Sequence, residues 1–305
     1  EKTVPLNDSL PGFKKMGVES LLVAENNLLK ITFSNKGGQP RKVELKRYRS
    51  LDSTPVILGG SDFDKISYPI NTVPAQGAAQ ISDLMFNAGN LVINADSSQT
   101  ITFSAQGNNG ESVIHTFTLR PNDYLVDWNV NLVGADKLLT QGAFNITWQS
   151  QPQQHESDVD YERQQTNICF SENGDFDYIM SKTEKKFEKP VQWVSVAQQF
   201  FNTTLIAKNN FAGGEIKFER QTSDTIKQIA NVTTHLQSKL PLGTQSSFPM
   251  QLYFGPNDYK ILKKLPVEEM DKIINLGRDM YAFVRPINKY IVMPVFDFFK
   301  GFINS

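Results

Sequence analysis

The stretch Tyr124-Leu125-Val126-Asp127-Trp128-Asn129-Val130-Asn131-Leu132-Val133 puts Val126, Trp128, Val130 and Leu132 on one side of an extended chain. Asp127, Asn129 and Asn131 fall on the other. Successive side chains of a β-strand point to opposite faces, so this alternation predicts a strand with one buried and one wetter face, the habit of antiparallel sheets. The same period runs outward in both directions. Leu29, Ile31 and Phe33 alternate with Lys30, Thr32 and Ser34, and Ile101 and Phe103 with Thr100, Thr102 and Ser104. Phe144, Ile146 and Trp148 alternate with Asn145 and Thr147, while Phe248, Met250, Leu252 and Phe254 close the series. Turn formers separate the runs: Asn35-Lys36-Gly37-Gly38, Gly59-Gly60, Gly107-Asn108-Asn109-Gly110, Asn173-Gly174 and Ala212-Gly213-Gly214. No long helical pattern intervenes, which argues against βαβ units. About sixteen short strands exceed an immunoglobulin sandwich roughly twofold and predict a large two-sheet antiparallel sandwich. The absence of a fixed-period repeat argues against a propeller or solenoid.

At Gly255-Pro256 the pattern changes. Asn257-Asp258 is placed to cap a short helix through Lys264, and Pro266 suits a first helical turn. Val267, Met270, Ile273 and Ile274 then recur at helical spacing, and Pro286 opens a final helix to about Ile303. Wound at about 100° per residue, Ile287, Ile291, Val295, Phe298 and Phe302 share a narrow sector that Val292, Phe296, Phe299 and Ile303 widen. Lys289, Asp297, Lys300 and Asn304 lie opposite, and Pro294 is expected to bend the helix in mid-course. Two readings stay open for this face. It docks on the sandwich or a neighbouring domain, or it lies in a membrane interface with phenylalanines in the acyl boundary and lysines among headgroups.

The 305 residues carry 31 Lys+Arg against 32 Asp+Glu, a net charge of −1, with 39% hydrophobic residues. This is the material of a folded domain, and it offers no basic excess for nucleic acid. No run approaches the roughly 18–20 apolar residues of a spanning helix. The single Cys169 forms no internal disulfide or thiolate cluster and reads as a small buried residue. A first residue of Glu1 and no signal peptide suggest a piece of a longer protein.

Catalytic patterns are sparse. His115, His155 and His235 are far apart, with no metal-binding spacing, so neither metal nor cofactor is expected. His115 shares the parity of Val113 and Phe117 and reads as a hydrogen-bonded, partly buried residue; His155 reads as part of a surface loop, Gln149–Asp160. Glu156, Asp158, Asp160 and Glu162 read as a solvated acidic cluster. Charges at Arg41, Lys42, Lys46 and Arg47 alternate with Val43 and Leu45, as on a solvated strand face, an edge strand being one version.

Three segments carry a family resemblance. They are Val23–Gly38, followed by Val43-Glu44-Leu45 and Tyr48; Trp193-Val194-Ser195-Val196-Ala197-Gln198-Gln199-Phe200-Phe201; and Tyr253-Phe254-Gly255-Pro256-Asn257-Asp258-Tyr259, followed by Ile287-Asn288-Lys289. In that order and spacing they resemble the large periplasmic domain of YidC-type membrane protein insertases of Gram-negative bacteria. The resemblance implies an all-β supersandwich of the galactose-mutarotase-like type with short C-terminal α-helices. It implies a linker over residues 1–19 after a spanning helix, the sandwich over 20–255, and helices over 256–305 leading to an insertase core. By the same resemblance the domain is non-catalytic and stands at the periplasmic face of the inner membrane. Its implied partners are nascent membrane proteins and the Sec translocon, without nucleic acid. The terminal helix would rest on the outer leaflet through Ile287, Ile291, Val295, Phe298, Phe299 and Phe302 and set the domain's orientation. A carbohydrate-binding or sugar-epimerising sandwich is the alternative, and it requires a glutamate and a histidine facing each other in a cleft.

Overall fold

A computed structural model describes residues 13, 17–72, 78–223, 227–275, 285–295 and 298–299. The chain divides into two compact units, Glu1–Pro256 and Asn257–Ser305.

The first unit is built on a ten-stranded antiparallel sheet. Its order is Asp175–Ile179, Asn167–Glu172, Val191–Ala197, Phe201–Phe211, Gln245–Pro256, Leu125–Val133, Ser112–Leu119, Gln99–Gln106 and Asn87–Ala88, with Val92–Ile93 also on Gln99–Gln106. The strand that opened the sequence reading lies inside this sheet, where Trp128 pairs with Phe117 on one side and Met250 on the other. Its apolar side is buried as the alternation requires.

Hydrogen bonding divides the facing layer in two. One part has the order Leu21–Glu25, Leu29–Ser34, Gln39–Arg49 and Pro55–Gly59; the other Glu184–Phe187, Gly213–Arg220, Ala230–Lys239, Ala143–Ser150 and Lys65–Ser67. Both pack on the large sheet through aromatic rings. Phe33 lies 4.9 Å from Phe117, which stacks on Trp128 at 5.7 Å; Phe144 meets Phe248 at 5.2 Å and Phe170 meets Phe187 at 5.0 Å. Across the seam between the two parts, the Gln39 side-chain oxygen accepts the Ile66 N–H at 2.6 Å, a side chain doing what a neighbouring strand would do. A pair Pro69–Asn71 and Ala78–Gln80 completes the sheets.

Glycine is required where backbones crowd or φ turns positive. Gly37 (φ 75°) and Gly38 (φ 55°) supply the two left-handed residues of the hairpin turn after Leu29–Ser34. At Gly214 (φ 151°) a Cβ would collide with the His235 carbonyl oxygen.

The basic strand Gln39–Arg49 is not an edge: it is paired on both sides, with Leu29–Ser34 and with Pro55–Gly59. Its charges are accommodated by acids on the same surface, Lys42 meeting Glu44 at 3.2 Å and Lys46 meeting Glu25 at 3.2 Å.

The second unit begins with the helix Tyr259–Leu262, capped by the Asp258 carboxylate, which accepts from the Lys260 and Ile261 N–H groups at 2.8 and 3.1 Å. Residues expected to continue at helical spacing form only the 3₁₀ turn Met270–Ile273, because Glu269 takes a left-handed conformation (φ 63°) and interrupts the winding. Val267, Met270 and Ile273 are buried nonetheless. Arg285–Ile287 is α-helical, Asn288–Val292 a π-helical turn, and 293–295 helical again. No helix among the described residues is long and apolar enough to cross a membrane.

Candidate functional site

The terminal helix shows its apolar residues outward. Ile287, Ile291, Val295, Phe298 and Phe299 are all exposed, Phe298 by 63% and Ile291 by 59%. Phe302, together with Phe296, Asp297, Lys300, Ile303 and Asn304, lies outside the residues described. Phe298 and Phe299 meet edge to face at 5.6 Å. Just before Pro294 the helix widens into the π turn, closed by the Met293 N–H on the Asn288 carbonyl. Proline has no N–H and crowds the carbonyl four residues back, and a wider turn relieves that crowding. Lys289 does not reach away from the protein as the helical wheel suggests. Its ammonium lies 5.9 Å from the Tyr259 ring centroid and 5.3 Å from that of Tyr290, and the contact with Tyr259 holds its pKa above the usual lysine value.

Within the sandwich, the segments that carry the resemblance converge. Phe201 pairs with Pro256, and its ring meets Tyr48 edge-on at 5.3 Å. The Tyr253 hydroxyl donates to the Pro256 carbonyl at 2.8 Å, and Gly255 is tight because a Cβ would press on the rings of Tyr253 and Tyr124. Gln198, turned inward in the turn between the strands Val191–Ala197 and Phe201–Phe211, donates to the Gln153 carbonyl at 2.8 Å and to the Glu162 carboxylate at 2.9 Å. The other Glu162 oxygen accepts from the His155 and Glu156 N–H groups at 2.9 and 3.2 Å.

Two expectations are corrected here. His155 is not on a surface loop, and Glu162 is not part of a solvated acidic cluster; both are buried. Glu162 lies on the helix Val159–Gln165, whose cap is Asp158, accepting from the Tyr161 N–H at 2.9 Å. The helix turns Glu162 inward, where three N–H donors replace its water. Burial still raises its pKa, since those donors only partly offset desolvation. Burial lowers the His155 pKa to about 4; its Nε2 has no hydrogen-bond partner, and its ring packs edge-on against Phe201 at 5.7 Å.

His115 is buried more completely than the alternation alone implied. Its Nδ1–H donates to the Gly38 carbonyl at 2.8 Å, which leaves Nε2 to accept from the Tyr68 hydroxyl at 2.7 Å. Its pKa is also lowered to about 4 by burial. Cys169 is buried, as expected.

A groove of about 260 Å³ opens beside the seam of the second layer, lined among others by Gln39, Arg41, Asp64, Lys65 and Asp83. Asp64 accepts the Gln151 and Ser61 N–H groups at 2.6 and 2.8 Å, and burial raises its pKa. The lining holds carboxylates but neither His115 nor His155. Among the described residues, no three His, Cys, Asp or Glu side chains are grouped to hold a metal.

These features have counterparts in known proteins. The chain is 32% identical over 312 residues to the membrane protein insertase YidC of Bacteroides fragilis, a match covering 99% of this chain and 48% of that protein. With the YidC insertase of Cytophaga hutchinsonii it shares 29% identity over 298 residues, 92% of this chain and 46% of the other. The chain therefore spans about half the length of the curated relatives it matches. Among solved structures, a galactose mutarotase related enzyme from Lactobacillus acidophilus is similar with a TM-score of 0.49 and 10% identity, over 77% of this chain and 97% of that one. The profile of the YidC periplasmic domain runs from residue 22 to residue 291, from the first edge strand into the terminal helix, and on that match the chain belongs to the YidC periplasmic-domain family.

Proposed function

We propose that the chain serves as the periplasmic domain of a membrane protein insertase, at the periplasmic face of the inner membrane, and acts there as a non-catalytic interaction and positioning module. Residues 1–19 then link it to a preceding spanning helix, 20–255 form the sandwich, and 256–305 lead toward the insertase core. Its partners are nascent membrane proteins and Sec translocon components. The edge strand Leu21–Glu25, with Leu21 and Val23 exposed, offers an extended segment a place to add as a further strand.

The observation that carries the membrane part of this reading is the exposed row Ile287, Ile291, Val295, Phe298 and Phe299. A helix with an exposed face of this kind and polar residues opposite binds by burying its apolar residues about 5–10 Å into the lipid boundary. Co-sedimentation with phosphatidylethanolamine/phosphatidylglycerol vesicles tests it. The intact chain is expected to sediment with the vesicles, and Phe298→Asp/Phe299→Asp to bind at least about tenfold more weakly, because a carboxylate in the acyl boundary is costly. Equal, negligible binding by both would count against the reading.

A further inference from the structure

We propose that Lys289 is the positioning residue of the terminal helix: seated on Tyr259, it fixes the roll of the helix so that its apolar row faces outward, toward lipid. The inference rests on the membrane reading above and adds to it the device that aims the helix.

The geometry follows from helical winding. Residues two places from Lys289 in either direction lie roughly 200° around the axis from it. Ile287 and Ile291 are those residues. Pinning Lys289 inward therefore turns Ile287 and Ile291 outward together, and these residues are exposed while Lys289 is half-buried. The π turn Asn288–Val292 contains the pinned residue, so the backbone widens where the contact is made.

The other half of the contact has a firm seat. Tyr259 is the first residue of a helix held by its Asp258 cap, within a segment whose Leu262, Met270 and Ile273 are buried and whose Lys263 meets Asp271 at 3.7 Å. A lysine ammonium over a tyrosine face is attracted by the ring's negative π surface. Here a second ring, Tyr290, approaches the same ammonium from the helix itself. The two motif pieces Gly255–Tyr259 and Ile287–Lys289, far apart in sequence, thus have a physical reason to occur together.

The test uses the full chain carrying an environment-sensitive fluorophore on Val295→Cys, an exposed position, with the fully buried Cys169 left in place. The readout is quenching by lipids with nitroxides at mid-chain, in the vesicles described above. Lys289→Met and Tyr259→Leu are expected to bind vesicles within threefold of the parent but lose at least half the quenching. Lys289→Arg, which keeps a cation for the ring, is expected to restore it. Quenching unchanged in Lys289→Met, or equal loss in the Met and Arg variants, overturns the proposal. Failure of the parent to bind vesicles overturns the membrane reading and the proposal with it. In buffer alone, NMR titration of the lysine side chains reports the contact itself: the Lys289 pKa should stand above ordinary lysine and fall back in Tyr259→Leu. A value that ignores Tyr259 would also overturn the proposal.

Discussion

Phenylalanine is used in opposite ways in the two units. In the sandwich, Phe33, Phe117 and Trp128 form one contact chain, each ring sealed from solvent. In the terminal helix, Phe298 and Phe299 meet each other and are both more than half exposed. The difference lies in whether the chain supplies the covering surface. Alternating strands meet their complement in the facing sheet, so their aromatic side is consumed by folding. The helical row stays exposed among the described residues, and the proposed reading gives it a lipid surface to cover it. Sequence period identifies each apolar face, and the structure reveals which face is already covered.

The sharpest way to break this contrast is to empty the sandwich core. Phe117→Ala is expected to destabilise the first unit by about 3–5 kcal/mol, the usual loss for a large aromatic in a close-packed interior. Urea unfolding followed by tryptophan fluorescence measures it. A loss below about 1 kcal/mol would mean that this ring is not part of a close-packed core.

Acid should separate the units next. His115 and His155 both have pKa values lowered from 6.5 to about 4 in the folded state. The unfolded chain takes up these protons first, so stability is fully present above about pH 6.5 and declines as pH falls toward 4. Each histidine contributes roughly 2–3 kcal/mol to that loss by pH 4.5. Glu162 acts in the opposite sense: its raised pKa makes the folded state bind a proton more readily, so acid relieves the strain of its buried charge. His155→Phe should therefore flatten the stability profile between pH 6.5 and 4.5, as seen in urea midpoints. The terminal segment contains no histidine, and its vesicle binding should not follow the same curve.

How much of this was legible in the residues depends on what marks burial. Alternation at Val126, Trp128 and Val130 marks it through apolar side chains, and both the strand and its sheet type were readable there. The helical face was readable by the same logic at a different period. Glu162 and His155 gave no such sign. Their burial depends on Gln198 and on backbone N–H groups, and polar partners leave no hydrophobic pattern. The one available signal was Gln198 itself, a glutamine directly after the mostly apolar run 194–197 that needs a polar partner if it turns inward. The interior position of Gln39–Arg49 was hidden for another reason. Edge or centre is decided by which strands pair, and its alternating charges suit any strand with one wet face.

A smaller effect is expected where polar groups do the sealing. Gln198→Ala leaves the Gln153 carbonyl and one Glu162 oxygen without their shared donor, at a cost of about 1–3 kcal/mol. Hydrogen exchange at the His155 and Glu156 amides should accelerate in this variant more than exchange in the Leu125–Val133 strand. Uniform acceleration would mean that Gln198 supports the whole sandwich and not the local strap.

The smallest stability effect discriminates most between the readings of the terminal helix. If Phe298 and Phe299 were docked in a protein core, replacing both by aspartate would strand two charges in an apolar contact and cost several kcal/mol. On an exposed face the same double change should shift folding stability by no more than about 0.5 kcal/mol. The thermal midpoint of Phe298→Asp/Phe299→Asp in buffer should therefore match that of the parent, while Phe117→Ala lowers it by many degrees. A midpoint depressed by the aspartates would show the row to be covered within the protein, and the outward-facing helix would have to be given up. An unchanged midpoint joined to lost vesicle binding would separate the two functions of the same residue type: in the sandwich phenylalanine holds the fold, and in the helix it serves a surface that folding does not provide.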